Sequence, residues 1–83
     1  MSEKDFSGQV AMVTGAGSGL GQSAAVLLAQ RGARVLIADI DDAGGQATVA
    51  LCQTAGGEAL FIHTDVTIEA DVAAAVARAI SQW

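Results

Sequence analysis

Three short apolar runs, residues 10–13, 35–38 and 59–62, recur along the chain with amphipathic stretches between them. Each run is nearly continuous rather than alternating, as in strands of a parallel sheet covered by helices on both faces. Between the first two runs, Leu20, Ala24, Leu27, Leu28 and Arg31 recur at helical spacing. Gly32 then stands where a helix C-terminus favours a residue tolerant of positive φ. The second connection, residues 41–54, places Ala43, Ala47, Ala50, Leu51 and Thr54 on one stripe and ends at Gly56-Gly57. Its internal Gly44-Gly45 pair costs about 1 kcal/mol per residue relative to alanine, so by propensity this is the weakest helix. A third helix is expected to open at Thr67 as N-cap, with Glu69 and Asp71 near the positive end of its dipole. Its inward face is Val72, Ala75, Val76, Ala79 and Ile80, continued by Trp83 as core.

Strand and helix thus alternate three times, which predicts an α/β fold of parallel strands joined by crossover helices. Leucine-rich repeats share a similar step, but their leucine and asparagine template is absent. The expected unit is β-α-β-α-β-α over residues 1–83, with three parallel strands in the order 3-2-1 and three helices. At 83 residues it is one partial domain, too short to hold separate cofactor and substrate sites.

Charge and chemistry narrow the function classes. The net charge is −5, and the cations are only Lys4, Arg31, Arg34 and Arg78, so no basic face for nucleic acid can be assembled. Cys52 is the single cysteine, which excludes an intrachain disulfide and reads as a small buried hydrophobe. His63 has no cysteine, histidine or acid at a catalytic or metal-binding spacing, and reads as a packed or edge residue of the third strand. The start lacks the pattern of a signal peptide, and no apolar stretch approaches the ~18 residues of a membrane span. The expectation is a soluble, cytoplasmic protein with no nucleic-acid, membrane or metal partner.

The first strand leads into Thr14-Gly15-Ala16-Gly17-Ser18-Gly19-Leu20-Gly21 and then a helix. A glycine-rich turn at this point lets backbone approach a pyrophosphate, while the helix N-terminus offers unpaired N–H groups and partial positive charge. Gly15 would make the tight exit from the strand, Gly19 would permit close approach to phosphate, and Gly21 would let the helix pack on the sheet. Ser18 reaches ribose or phosphate, or is a small turn residue; the sequence leaves both open. Asp39 closes the second strand, where a carboxylate can accept hydrogen bonds from both ribose hydroxyls and would repel a 2′-phosphate. NAD is therefore favoured over NADP, because a cation is missing where Ser18 and Ile40 stand. The plainer alternative makes Asp39 part of a solvated Asp39, Asp41, Asp42 cluster capping the second helix, a role expected of Asp41 in any case.

Read from Gly15, the spacing is T-G-x-x-x-G-x-G rather than G-x-G-x-x-G. By this turn, the acid after strand two and the Asp65-Val66 pair after strand three, the chain resembles the short-chain dehydrogenase/reductase family, classical type, along essentially its whole length. The resemblance implies the first half of a doubly wound Rossmann fold and hydride transfer between a carbonyl or alcohol substrate and NAD or NADP. It implies that Asp65 and Val66 hold the adenine ring; the alternative for Asp65 is a helix N-terminal acid before Thr67. The implied cofactor contacts are Thr14, Gly15, Gly17, Ser18, Gly19, Leu20 and Gly21 from the turn, with Asp39, Ile40, Asp65 and Val66 from the later strand ends.

The family's Tyr-x-x-x-Lys, upstream serine and Asn-Asn-Ala-Gly segment have no match: the chain has no tyrosine, and Lys4, its one lysine, precedes the first strand. No catalytic residue is assigned, and the chain alone is expected to be inactive. The expectation is an N-terminal portion of a longer, homo-oligomeric oxidoreductase, ending before strand four and leaving strand one as an apolar edge. A non-catalytic nucleotide-binding or interaction module is the alternative. An S-adenosylmethionine methyltransferase is a remote third, since Gly17-x-Gly19-x-Gly21 matches its G-x-G-x-G while Gly15 stands where an acid is usual.

Overall fold

Val35, Leu36, Ile37 and Ala38 are all fully buried, and the rest of the fold is arranged around them. In the computed structural model, which describes residues 6–15 and 19–83, they form the centre of strand β2 (Arg34–Asp39). Strand β1 (Val10–Thr14) pairs with one edge of β2 and strand β3 (Glu58–His63) with the other, both parallel. The sheet order β1-β2-β3 is the expected 3-2-1 read from the opposite edge. Right-handed crossovers through the intervening helices are the standard way to join neighbouring parallel strands. Those helices are α1 (Gly19–Gln30), α2 (Asp42–Thr54) and, after β3, α3 (Glu69–Gln82).

Alternate residues of β2 enter two separate cores. Val35 and Ile37 pack with Ala59 of β3, Ala25 and Ala29 of α1 and Cys52 of α2, while Leu36 and Ala38 pack with Ala75 of α3. Both faces of β2 are thus covered, as its continuous apolar run predicts. For β1 that expectation fails: Val10 and Met12 are 46% and 40% exposed. Their register partners Arg34 and Leu36 place them on the α3 side of the sheet, where α3 lies over β2 and leaves an open groove between Val10 and Ala79, Ile80 and Trp83.

The helices fall where the spacing puts them, but α1 and α2 turn different faces to the sheet from those expected. In α1 the buried residues are Ala25 and Ala29, whereas Leu20 is 90% exposed and Leu27 51%. In α2 they are Gly45, Thr48 and Cys52 rather than the Ala43, Ala47, Ala50, Leu51 stripe. The reason is close approach. A Cβ on Gly45 would overlap the Phe61 ring, and one on Gly57 would lie 2.6 Å from the Ala29 Cβ, so small residues must face these contacts. Gly45 thereby offsets its poor helix propensity. The buried Thr48 hydroxyl donates to the Gly44 carbonyl (3.0 Å) and accepts from Gln22 Nε2 (3.1 Å), tying α2 to α1. In α3 Ala75 is buried, Val72, Ala79 and Trp83 are half-buried, and Val76 and Ile80 are exposed, so the expected apolar face is only partly covered.

The caps also divide into expected and unexpected. Asp41 is the N-cap of α2, accepting the Gly44 N–H at 3.0 Å, and Gly32 takes positive φ (95°) after α1, both as predicted. Thr67 is not a cap: α3 begins after Ile68 with no side-chain cap, because the Thr67 hydroxyl is turned back to Asp65.

Candidate functional site

The carboxyl ends of the three strands enclose a cleft of about 280 Å³ lined by Thr14, Gly15, Ala38, Asp39, Ile40, Thr64, Asp65 and Val66. Ligands of open α/β sheets bind at this end, outside the strand termini. The cleft therefore unites six of the sequence-predicted residues, from segments far apart in the chain: Thr14 and Gly15, Asp39 and Ile40, Asp65 and Val66. Gly17 and Ser18 lie outside the described residues. Gly19, Leu20 and Gly21 form the first turn of α1 rather than the cleft wall, with the Leu20 side chain directed to solvent.

Backbone geometry supports a turn that only glycine makes easily. Gly15 leaves β1 with φ 66° and Gly19 opens α1 with φ 61°, both in the left-handed region that costs a residue with a Cβ. The first turn of α1 carries no acid, whereas Asp42 opens α2 and Glu69 and Asp71 open α3. Among the described helices, α1 alone keeps the positive end of its dipole uncompensated by its own side chains.

The two aspartates of the cleft are held by different means. Asp39 Oδ1 accepts the Asp41 N–H at 3.1 Å, and the Asp39 carbonyl accepts the Thr64 N–H at 2.8 Å, which extends the β2–β3 ladder by one rung. Asp65 Oδ1 accepts both the hydroxyl (2.6 Å) and the N–H (2.9 Å) of Thr67. The Thr67 hydroxyl, and then its N–H, hold the Asp65 carboxyl below the usual carboxylate range. Among the described residues Asp65 Oδ2 has no hydrogen-bond donor.

Three participants escaped the sequence reading. Thr64 lines the cleft, buried, with its hydroxyl donating to the Ile62 carbonyl at 3.0 Å. Asp71 reaches back from α3 to accept the Asp65 N–H at 3.0 Å, so it anchors the loop as well as facing the helix dipole. His63, read as a packed or edge residue of the third strand, is exposed with its Nδ1 2.6 Å from Asp42 Oδ1. The Thr64 and Asp71 contacts are local in the chain, whereas the His63–Asp42 contact depends on the β2–β3 register.

Chemically, the cleft offers carboxylate acceptors and hydroxyls beside a helix N-terminus suited to an anion. The described cations are remote from it: Arg31 follows α1, Arg34 opens β2 against Glu58 (3.8 Å), and Arg78 lies in the second half of α3, all toward the opposite end of the sheet. Among the described residues no cluster of His, Cys, Asp and Glu could hold a metal ion, and no helix is long and apolar enough to cross a membrane.

Comparison with known proteins yields consistent matches. The family model for short chain dehydrogenase matches residues 9–83. An uncharacterized oxidoreductase of Thermotoga maritima is 51% identical over 67 residues, which cover 81% of this chain and 27% of that protein. (+)-Borneol dehydrogenase 2 of Salvia officinalis is 51% identical over 71 residues, covering 83% and 24%. The crystal structure of a hydroxysteroid dehydrogenase from Escherichia coli superposes with a TM-score of 0.90 at 35% identity, over 93% of this chain and 33% of that one. The chain thus spans about a quarter to a third of the length of these relatives.

Proposed function

The chain belongs to the short chain dehydrogenase family, and from that premise we propose that it forms the adenosine and pyrophosphate site of an NAD-dependent oxidoreductase. The single observation that carries this reading is the convergence of Gly15, Asp39 and Asp65 on one cleft beside a helix N-terminus free of acids. The donor set fits the group. Asp39 would accept the hydroxyls of the adenosine ribose, and Asp65, through Oδ2, the exocyclic amine of adenine. Val66 would lie beside the ring, and the α1 N-terminus with Gly15, Gly17, Ser18, Gly19, Leu20 and Gly21 would hold the pyrophosphate. Ile40 borders the ribose.

The bound dinucleotide supplies the hydride acceptor or donor. These 83 residues supply binding and orientation, and the proton-transfer groups acting on the carbonyl or alcohol substrate belong to polypeptide outside them. NAD is preferred to NADP because Asp39 would meet a 2′-phosphate with like charge, and no described cation lies at this end to offset it.

The test is equilibrium binding of NAD⁺ and NADP⁺ by calorimetry, on the whole encoded protein. Saturable binding with NAD⁺ the tighter ligand is expected. Absence of saturable binding by either dinucleotide would overturn the nucleotide site, whereas tighter binding of NADP⁺ would overturn the role of Asp39 alone.

A further inference from the structure

His63 ends β3 directly beside Asp39, which ends β2 in register with it. Both follow residues of odd number that pack toward α1 and α2, so their side chains leave the same face of the sheet about 4.8 Å apart. From there the two chains diverge. One continues through Ile40 and Asp41 into α2, the other through Thr64 into Asp65 and Val66, and together they make two walls of the cleft. The last main-chain link between these walls is the Thr64 N–H to Asp39 carbonyl bond. Beyond it a pair of side chains spans the walls: His63 Nδ1 to Asp42 Oδ1, at 2.6 Å, bridges the end of β3 to the first residue of α2 across the 39–41 turn.

We propose that the His63–Asp42 pair is a positioning device for the nucleotide cleft, holding the turn that bears Asp39 and Ile40 at a set distance from the loop that bears Asp65 and Val66. The inference rests on the nucleotide-binding reading above. His63 does not touch the nucleotide in this role; it acts through Asp42.

A device of this kind responds to proton concentration. The hydrogen bond to Asp42 raises the His63 pKa above the ordinary imidazole value, and the charges of Asp42, Asp71 and Asp65 add to that against a smaller cost of desolvation. The charged groups around the imidazole are therefore acids from every neighbouring element: Asp42 of α2, Asp39 of β2, Asp65 of the following loop and Asp71 of α3. The imidazole carries its charge below its pKa and loses it as pH rises through a value above the ordinary ~6.5, which leaves Asp42 facing a neutral ring. Nucleotide affinity should fall over the same interval. An exposed pair of this type supports a change of about two- to fivefold.

The experiment measures the Kd of ADP-ribose, whose own groups do not titrate between weak acid and weak base, across that interval in the whole encoded protein. Wild type should weaken about two- to fivefold as pH rises. His63→Gln and Asp42→Ala should each give a flat profile at the weaker, high-pH level, with unchanged melting as evidence of folding. Asp42→Ala is decisive because it leaves the imidazole in place: a pH step that survives it would come from direct attraction between imidazolium and pyrophosphate, and would overturn the positioning role. A flat wild-type profile would overturn it too. If ADP-ribose fails to bind at every pH, the nucleotide-binding reading falls and takes this inference with it, an outcome distinct from binding with an unaltered step.

Discussion

Replacing Asp39 by asparagine isolates charge from shape at the centre of the cleft. Asp39 Oδ1 already accepts the Asp41 N–H at 3.1 Å, so alanine would loosen the turn as well as remove the nucleotide ligand. Asparagine keeps an acceptor at that atom. For NAD⁺, two ribose hydroxyls would pass from a charged to a neutral acceptor. Charge-assisted hydrogen bonds contribute about 1.5–3 kcal/mol against about 1 for neutral ones, so a total loss of about 1–4 kcal/mol over the two hydroxyls is expected, at least roughly 5-fold in Kd. For NADP⁺ the effect is opposite. A carboxylate and a phosphate of charge near −2, taken about 5 Å apart in water, repel by about 1.7 kcal/mol. Removing that repulsion tightens NADP⁺ by about 15- to 20-fold before salt screening. The NAD⁺ to NADP⁺ preference should therefore move by roughly 3–6 kcal/mol toward NADP⁺. Calorimetric titration of both dinucleotides at low and moderate ionic strength measures it, with thermal melting as the folding control. An unchanged preference in a variant that melts like wild type would falsify the placement of Asp39 at the ribose.

Further outcomes follow from the packing and from the acids. Gly45→Val should lower stability by about 1–3 kcal/mol through overlap with the Phe61 ring, read as a fall in the thermal midpoint; an unaltered midpoint would show that α2 can move off the sheet freely. Thr67→Val should return the Asp65 carboxyl toward its ordinary pKa, since the Thr67 hydroxyl is the first cause of its depression, and carboxyl-detected NMR titration reports it. Because that pKa is depressed in the folded state, its contribution to stability is present above the ordinary Asp value and disappears as pH falls through the folded value. Denaturant midpoints of Thr67→Val and wild type should accordingly converge in strong acid. Cys52 is buried, and burial pushes its thiol pKa up, so a thiol reagent should modify it only as fast as the chain opens; immediate reaction in native buffer would contradict the packing of α2.

The sheet was legible because burial of β2 on both faces leaves a run, residues 35–38, with no polar member. The inward faces of α1 and α2 were not, whereas α3 turns the expected Ala75 to the sheet. Hydrophobic spacing favours large side chains, and Leu20, Leu27, Leu51 and Ile80 drew the predicted stripes toward themselves, yet all four are exposed. What faces the sheet most closely is Ala25, Ala29, Gly45, Thr48, Cys52 and Ala75, residues chosen by the space between layers rather than by hydrophobicity. Gly44-Gly45, which propensity marks as a weakness, includes the one position of α2 that must lack a Cβ against Phe61. Propensity weighs a helix in isolation, while the constraint at Gly45 comes from β3.

The cleft divides in the same way. Gly15 and Asp39 were readable because each sits at a strand end whose place in the sheet follows from chain order, and Asp65 because the family resemblance pointed to the loop after β3. What holds them is partly local, as in the Asp41 N–H to Asp39 and the Thr67 bonds to Asp65, and partly set by register, which chain order does not give. The pairing of Asp39 with His63 brings the end of β3 beside the turn that leads into α2, and only then does an exposed histidine acquire Asp42 as its partner, 21 residues earlier in the chain. Asp71 shows the intermediate case: as a first-turn acid it satisfies the helix-dipole rule, and nothing in that rule says that its carboxylate bonds the Asp65 N–H instead of standing in solvent. A strand-end acid is thus a statement about topology, whereas the orientation of its carboxylate is a statement about neighbours contributed by other elements. For this cleft those neighbours are Thr67, Asp71 and the His63–Asp42 pair, so substitutions at them should alter nucleotide affinity without changing any residue that lines the cleft.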